Sequence, residues 1–350
     1  MDYGYINARM RGMKSRLLTH RELDDLITKP DLESLIADLE NTPYREDIIE
    51  AKGHLVGILC VEYALRENFT RTFRKIQDFS REEVEAKQYI AIFLHRWDVQ
   101  NIKTVLRGKN IHATAEEILD CLVPAGELDE VTLKELLKQP DIKAVIDLLA
   151  TWQIRYAKPL TESFLGFAKS RDLAILECAL DRYYYADALA TVRDPTYNNN
   201  LIRNLLSLEV DVVNVRTVLR MVRDHVDPAD AQRYLIGGGK EFNEETIALL
   251  LSLPTIGDVV KKLAAKQYRF LAGVPETAIR TQKISVIEKE LERFLIKKGA
   301  GAFLLDLLSV ASVIGYFWAK YNEITNIRII SRCKTADFPV ENLKEELVYV

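Results

Sequence analysis

Several specialised classes need things that this sequence has little of. It has four cysteines, Cys60, Cys121, Cys178 and Cys333, far apart and with no CxxC pair; that argues against a disulfide framework and a cysteine zinc site and fits a reducing cytoplasm. Charge of neither sign dominates. The formal net charge is −4, whereas a nucleic-acid binder would be basic with a clustered footprint. The opening MDYGYINARMRGMKSRLL has an acid at Asp2 and no apolar stretch of the length a secretory signal needs, so the mature chain is expected to begin there. Long Ser/Gly-rich or proline-rich linkers are missing, so the parts of the chain are expected to pack as one body. Convincing alternating strand patterns are missing too.

What is present is helix, in repeats. At 48% apolar and 29% charged over 350 residues, the balance is that of a soluble globular chain with material for two or three cores. DVQNIKTVLR at 98–107 returns as DVVNVRTVLR at 211–220 and EITNIRIISR at 323–332. Prolines 30, 140 and 254 are each followed by apolar residues at matching offsets: Leu32, Leu35, Ile36, Leu39; Ile142, Val145, Ile146, Leu149; Ile256, Val259, Val260, Leu263. The i, i+3, i+4, i+7 spacing predicts one buried helical face, with the proline in its first turn. From each proline to the last arginine of its motif the distance stays within about three residues of 80.

LVPAGELDEVTLKELL (122–137) also resembles LIGGGKEFNEETIALL (235–250), each placing a Gly/Pro turn before a capped helix. The repeats then fall at 15–124, 125–238 and 239–350, behind a leader of residues 1–14. Each is too long for one helical hairpin of a solenoid. The expectation is an all-α protein of three similar domains about a pseudo-threefold axis, with a curved open array as the alternative.

One apolar run raises the question of a membrane span. GAGAFLLDLLSVASVIGYFWA, residues 299–319, has Asp306 as its one charge. Its length permits a span, but an aspartate near the centre costs about 2.5–3.5 kcal/mol on insertion scales. The run also aligns with the first repeat, which carries His95 and Arg96 where the third carries Ala319 and Lys320 or their neighbours. A buried core helix is therefore expected.

On a helix the repeated motif sorts its residues by face. Val99, Ile102 and Leu106 point inward, and Lys103 and Arg107 share another face. Arg216 with Arg220, and Arg328 with Arg332, repeat that basic pair, although Glu323 and Ser331 depart from the pattern in the third copy. Asn101, Asn214 and Asn326 stand at the stripe's border, where an amide can bridge to a neighbouring helix or loop backbone. In a structural role the basic residues pair with acids such as Asp98 and Asp211, and Arg107→Ala and Arg220→Ala act chiefly on folding. In a functional role the basic stripe meets a partner protein.

Candidate chemistry fails on spacing. GGGK at 237–240 is followed by Glu241, not Ser or Thr, and follows a helical segment rather than a strand. Asp24 and Asp25 have no further spaced aspartate; Asp224, Asp227 and Asp230 miss the calcium-loop pattern. His20, His54, His95, His112 and His225 include no i, i+4 pair. No catalytic residue, cofactor or metal is assigned. Threefold repetition itself argues against catalysis, which needs unlike groups converging on one reacting atom.

Near the start, Arg9, Arg11, Lys14 and Arg16 crowd basic charge beside Tyr3 and Tyr5. Most such runs are solvated faces, but arginine with aromatics is also what partner-binding surfaces favour. YGYINARMRGMKSRLL and WDVQNIKTVLRGK resemble the opening and an internal segment of the C subunit of V/A-type rotary ATPases, the relative of the eukaryotic V-ATPase d subunit. The resemblance covers essentially the whole chain.

It implies a funnel-shaped, all-helical, non-catalytic rotor subunit of the central stalk, one copy in a larger complex. Such a subunit lies between the shaft subunits D and F and the membrane proteolipid ring, at the cytoplasmic face, without spanning the bilayer. Candidate partner-binding residues are Arg9, Arg11, Lys103, Arg107, Arg216, Arg220, Arg328 and Arg332. The alternative function is a free helical scaffold or adaptor.

Overall fold

Caps written into the sequence begin most of the short helices. Thr19 and Thr114 form capping boxes with Glu22 and Glu117, and Asp31, Asp129, Asp141, Thr196, Asn243 and Thr255 each accept the backbone N–H three residues on. The computed structural model describes residues 3–80, 83–266, 268–306, 308–336 and 338–350. Among the described residues there is no strand.

In chain order the helices are α1 (Gly4–Lys14), α2 (His20–Thr28), α3 (Leu32–Leu39), α4 (Arg45–Lys52), α5 (Gly57–Phe79), α6 (Val84–Asn110), α7 (Ala115–Leu119), α8 (Glu130–Leu137), α9 (Ile142–Thr151) and α10 (Ala157–Ser170). There follow α11 (Ala174–Thr191), α12 (Tyr197–Arg223), α13 (Pro228–Ala231), α14 (Glu244–Leu251), α15 (Ile256–Ala264), α16 (Glu276–Arg280), α17 (Ile284–Gly301), α18 (Ala311–Thr335) and α19 (Val340–Glu346).

The helices after the three prolines are α3, α9 and α15. Their inward residues Leu35, Ile36, Leu39, Val145, Ile146, Leu149, Val259, Val260 and Leu263 are all buried, as the spacing predicts. The prolines themselves stand outside the first turn, two places before the first helical residue. Asp31, Asp141 and Thr255 are the caps, so each proline precedes the cap instead of opening the first turn, because the side chain that satisfies the free N–H groups must occupy the position after it.

The chain divides into two compact units, residues 1–139 with 299–350, and residues 140–298. In the first, α5 packs on α4 and α18, and α1 packs on α18. The C-terminal stretch is thus core to the N-terminal part of the chain. A ring cluster forms its centre, with Phe317 4.7 Å from Phe73 and 5.2 Å from Phe93 between centroids, a tilted geometry that aromatic quadrupoles favour. The chain ends meet as well, since the Tyr349 hydroxyl donates to Asp24 at 2.6 Å.

The 1–14 leader is no free arm where it is described, from residue 3. Ile6 and Met10 of α1 are buried, and the Ser312 hydroxyl donates to the amide oxygen of Asn7. In the second unit α10 packs on α9 and α11, α12 packs on α14 and α15, and Tyr268 lies 5.5 Å from both Phe242 and Phe294.

The apolar run at 299–319 is not one buried helix. Among the described residues no helix is long and apolar enough to cross a membrane. α17 ends at Gly301, a 3-10 turn covers Ala302–Leu304, and α18 starts only at Ala311. Ala311–Ala319 are buried, while Leu304, Leu305 and Leu308 face solvent. Asp306 accepts the N–H of Leu308 at 2.9 Å, stabilising a turn where composition alone reads as helix.

Gly315 makes this turn possible: a Cβ there would stand 2.4 Å from the backbone nitrogen of Phe303. Gly315→Ala is expected to lower unfolding free energy by about 2 kcal/mol through overpacking against a backbone that cannot yield. Gly12→Ala, where a Cβ meets nothing within 4 Å, is expected to be neutral or stabilising by up to about 1 kcal/mol. Denaturant titration of both variants reads the contrast.

Candidate functional site

Each long helix carries an acid and an amide three residues apart: Asp98 and Asn101 on α6, Asp211 and Asn214 on α12, Glu323 and Asn326 on α18. The helical period puts both members of a pair on one side. Asn101 donates to the carbonyl of Val123 at 2.7 Å and accepts the N–H of the same residue at 2.8 Å. Asn214 binds Ile236 in the same two ways, at 2.8 Å each, and Asn326 binds Val348 at 2.8 and 3.2 Å. In all three the partner is 22 residues downstream. The expected bridging amide is therefore a two-bond latch that satisfies a buried N–H and C=O together.

The acids hold the next few residues. Asp98 accepts from the N–H of Glu127 at 3.0 Å and of Leu128 at 2.9 Å; Asp211 accepts from Glu241 at 2.9 Å and Phe242 at 3.3 Å. A Cβ on Gly126 would fall 2.1 Å from an Asp98 oxygen, and one on Gly239 would fall 2.3 Å from an Asp211 oxygen. Glycine in PAGEL and GGGKEF thus lets the backbone reach a carboxylate, which accounts for the glycine-rich stretch that superficially suggested a phosphate loop. Asp98 and Asp211 were expected to pair with arginine; they use their oxygens on backbone N–H groups instead. Burial pushes Asp98 up to about 6 against the opposing pull of the N–H groups of Leu128 and Glu127. It raises Asp211 in the same way, against the N–H groups of Glu241 and Phe242.

The third copy is completed from the other end of the chain. Glu323, longer by one methylene, accepts from the N–H of Leu18, from the Tyr44 hydroxyl at 2.6 Å and from Lys320 at 2.8 Å. Leu18 leads into the cap of α2 as Leu128 and Phe242 lead into the caps of α8 and α14. Lys320, Glu323 and Tyr44 are all buried, and the hydroxyl and backbone partners meet the need that an enclosed ion pair has for further hydrogen bonds. The departure at Glu323 therefore goes with a different set of partners, one backbone N–H and two side chains in place of two backbone N–H groups. The other departure, Ser331, turns its hydroxyl back to the carbonyl of Ile327 at 2.8 Å.

The candidate basic residues are not brought to one place. Arg328 and Arg332 fork onto Glu62 of α5, at 2.7 and 2.8 Å. Arg220 binds Glu288 of α17 at 2.6 Å, and Arg216 donates to the Glu288 carbonyl at 3.2 Å. Lys103 is buried on α6 and Arg107 is exposed there. Arg9 and Arg11 are exposed on α1, with the Arg9 guanidinium 5.5 Å from the ring centre of Phe79.

Sequence reasoning missed Glu62 and Glu288, yet a signal existed. Val61-Glu62 with Leu65, Leu176-Glu177 with Leu180, and Ile287-Glu288 with Leu291 share one pattern. It also missed the grouping of His95, Asp98 and Glu127, whose potential ligand atoms lie within 4.8 Å of one another, because 32 residues separate His95 from Glu127. Their geometry is that of a latch plus a side-chain hydrogen bond, His95 Nε2 being 2.9 Å from Glu127.

A groove of about 660 Å³ opens in the first unit between α5, α6 and α18. Leu59, Arg96, Trp97, Trp318, Tyr321 and Arg328 line it. Tyr321 lies 6.2 Å from Trp97 and 6.0 Å from Trp318, and the Arg96 guanidinium sits 5.2 Å from the Trp318 ring. The buried indole N–H groups of Trp97 and Trp318 have no hydrogen-bond partner, and Leu59 is half exposed. Tryptophan, tyrosine and arginine in a concavity are the residue types that anchor protein partners. Arg328 apart, none of them stood out in the sequence as a binding residue, although HRWD and YFWAKY hold most of them.

These features define an all-α protein whose buried polar groups fasten its own backbone and whose concave face has the composition of a protein-binding surface. The profile of the ATP synthase (C/AC39) subunit family matches residues 6–346, and the chain belongs to that family. It is similar to the C subunit of the A-type ATP synthase of Methanosarcina acetivorans, 29% identical over 351 residues that span 100% of this chain and 93% of the relative. The C subunits of the A-type ATP synthases of Methanococcoides burtonii (30% identical; 99% and 94% covered) and Halorubrum lacusprofundi (30%; 98% and 97%) are similar over the same extent.

Two outcomes follow from the latch. Asn214→Ala leaves a buried N–H and C=O without partners and is expected to cost about 2–3 kcal/mol, whereas Arg220→Ala removes a largely exposed pair and is expected to cost less than about 1 kcal/mol; thermal unfolding of each variant compares them. Asp98 titrates at about 6 when folded and near 3.8 when unfolded, so the folded state binds its proton more readily between those values. Its contribution to stability is full below pH 3.8 and is lost as pH rises through about 6. The stability of the natural chain relative to Asp98→Asn is therefore expected to fall as pH is raised from about 4 to about 7, read by denaturant titration at each pH.

Proposed function

We propose that this chain is a non-catalytic central-stalk subunit of a V/A-type ion-translocating ATPase. In this reading it couples the rotating shaft, subunits D and F, to the proteolipid ring, and lies on the cytoplasmic face of the membrane without spanning it. Family membership supplies the complex; the groove supplies the mode of action. A part that passes torque between two other bodies needs stiff helices and a seat for a partner, and needs no acid, base or nucleophile. The three matched latches support a build from three copies of one helical module, with repeats near 15–124, 125–238 and 239–350. Each proposed internal boundary falls inside a latched connection, between Val123 and Glu127 and between Ile236 and Glu241, so neighbouring modules would share their fastening.

The observation that carries the proposal is the concave lining of Leu59, Arg96, Trp97, Trp318, Tyr321 and Arg328. Aromatic residues with arginine in a concavity anchor protein partners, and the arginines supply charge complementarity to a partner in a joint that must still be reversible. Arg328 and Arg332 line the same groove and take part while clamped to Glu62. Arg9 and Arg11 on α1 would serve a separate contact.

Mixing the purified chain with subunits D and F and with the detergent-solubilised ring, at low salt, should yield subcomplexes with each. Leu59→Ser and Arg96→Glu should each weaken shaft binding at least about tenfold while leaving the melting temperature within a few degrees. Failure to bind shaft and ring alike would overturn the function; unchanged shaft binding by both variants would move the seat elsewhere.

A further inference from the structure

The turn between α17 and α18 presents leucines to solvent. Leu304, Leu305 and Leu308 are 81%, 64% and 70% exposed. Single exposed leucines are ordinary, but three within five residues form a patch that has a use. The turn is held firmly. Lys14 Nζ lies 3.9 Å over the ring of Phe303, Asp306 accepts the N–H of Leu308, and the backbone of Phe303 is pressed against Gly315. The structure thus keeps the leucines out in water instead of letting them fold back.

The ground beside them is basic. Residues 3–21 include Arg9, Arg11, Lys14, Arg16 and Arg21 and no acid, in a chain whose net charge is −4. With Ile6 and Met10 buried, α1 turns Tyr5, Arg9 and Arg11 outward, and Arg16 follows just beyond it, also exposed. Lys14 joins the two features physically through its contact with Phe303. A second cavity, of about 260 Å³, continues the apolar surface; Lys14, Leu17, Leu23, Leu304, Ala319 and Val348 are among its lining.

We propose that this face rests on an anionic membrane surface. The leucines enter the interfacial layer, and the arginines of α1 and the residues after it meet the lipid phosphates. Membrane association of a peripheral protein takes two signals, apolar insertion and basic attraction, and both occur here side by side. Aliphatic side chains standing free of cover are unlike the groove, where aromatic anchors line a concavity as in protein interfaces. The inference rests on the reading of the chain as a peripheral subunit and deepens it, since it turns α1 with Leu304, Leu305 and Leu308 toward the bilayer.

The test is flotation of the full-length chain with vesicles of phosphatidylcholine, or of phosphatidylcholine containing about one-third phosphatidylglycerol, at low and high salt. Partitioning onto anionic vesicles is expected to be at least about tenfold higher than onto neutral ones and to fall with salt. Leu304→Ser, Leu305→Ser and Leu308→Ser combined should reduce it at least about fivefold with unchanged helix content and melting temperature. Arg9→Glu with Arg11→Glu should abolish the preference for anionic lipid. Equal partitioning onto the two vesicle types, or a triple-serine variant that binds as the natural chain does, overturns the proposal. If vesicles are ignored while the triple-serine variant loses binding to the lipid-free ring in detergent, the patch docks a protein and the lipid assignment fails. Assembly with subunits D and F is scored separately, so failure on vesicles and failure of the stalk function are distinguishable.

Discussion

A carboxylate and an amide, three residues apart on a long buried helix, grip backbone about 22 and 30 residues further on. The rest of the structure depends on that grip. Short capped helices of eight to ten residues are marginal alone, and what fixes α8 and α14 is the rigid strip of chain immediately ahead of them. Each latch uses buried polar atoms to set one arrangement of helices, where apolar packing alone would tolerate several. The cost is plain in Asp98 and Asp211, both pushed up by burial; it is met by N–H donors delivered through Gly126 and Gly239, where a larger residue would collide with the acid.

The third latch makes the two ends of the chain one structure. Glu323 reaches Leu18 and Tyr44, Asn326 holds Val348, and Tyr349 binds Asp24. Clamps of a second kind run beside the latches. Arg328 and Arg332 close on Glu62 in the first unit as Arg216 and Arg220 close on Glu288 in the second. These ion pairs are partly solvated and individually weak, so they trim the fit of one helix on another while the buried latches decide it. That division leaves the shape of the protein largely independent of ionic strength.

Much of the fold was legible because its signals are local. Helical period, Asx and threonine caps and the repeated motif lie within a few turns of the residues they govern, and Asn101, Asn214 and Asn326 announced a bridge by standing polar at the edge of an apolar stripe. What escaped was non-local or hidden by composition. The partners of Asp98 and Asp211 are backbone groups, which carry no residue code, and Glu62 is some 270 positions from Arg332. Residues 299–319 read as one buried helix because alanine and leucine suit either helix or turn; only contacts to Gly315 and the bond to Asp306 separate the buried half from the exposed one. The groove went unnoticed because Trp97 and Trp318 come from helices more than 200 residues apart.

Hydrogen exchange at the gripped amides tests the central claim most directly. Peptides covering Leu18, Glu127–Leu128 and Glu241–Phe242 should exchange only as fast as the whole molecule unfolds, at rates matching the buried centres of α6, α12 and α18. Exchange at those amides as rapid as at the exposed surface turns, with the long helices still protected, would show that the latches open freely, and the account built on them would be wrong.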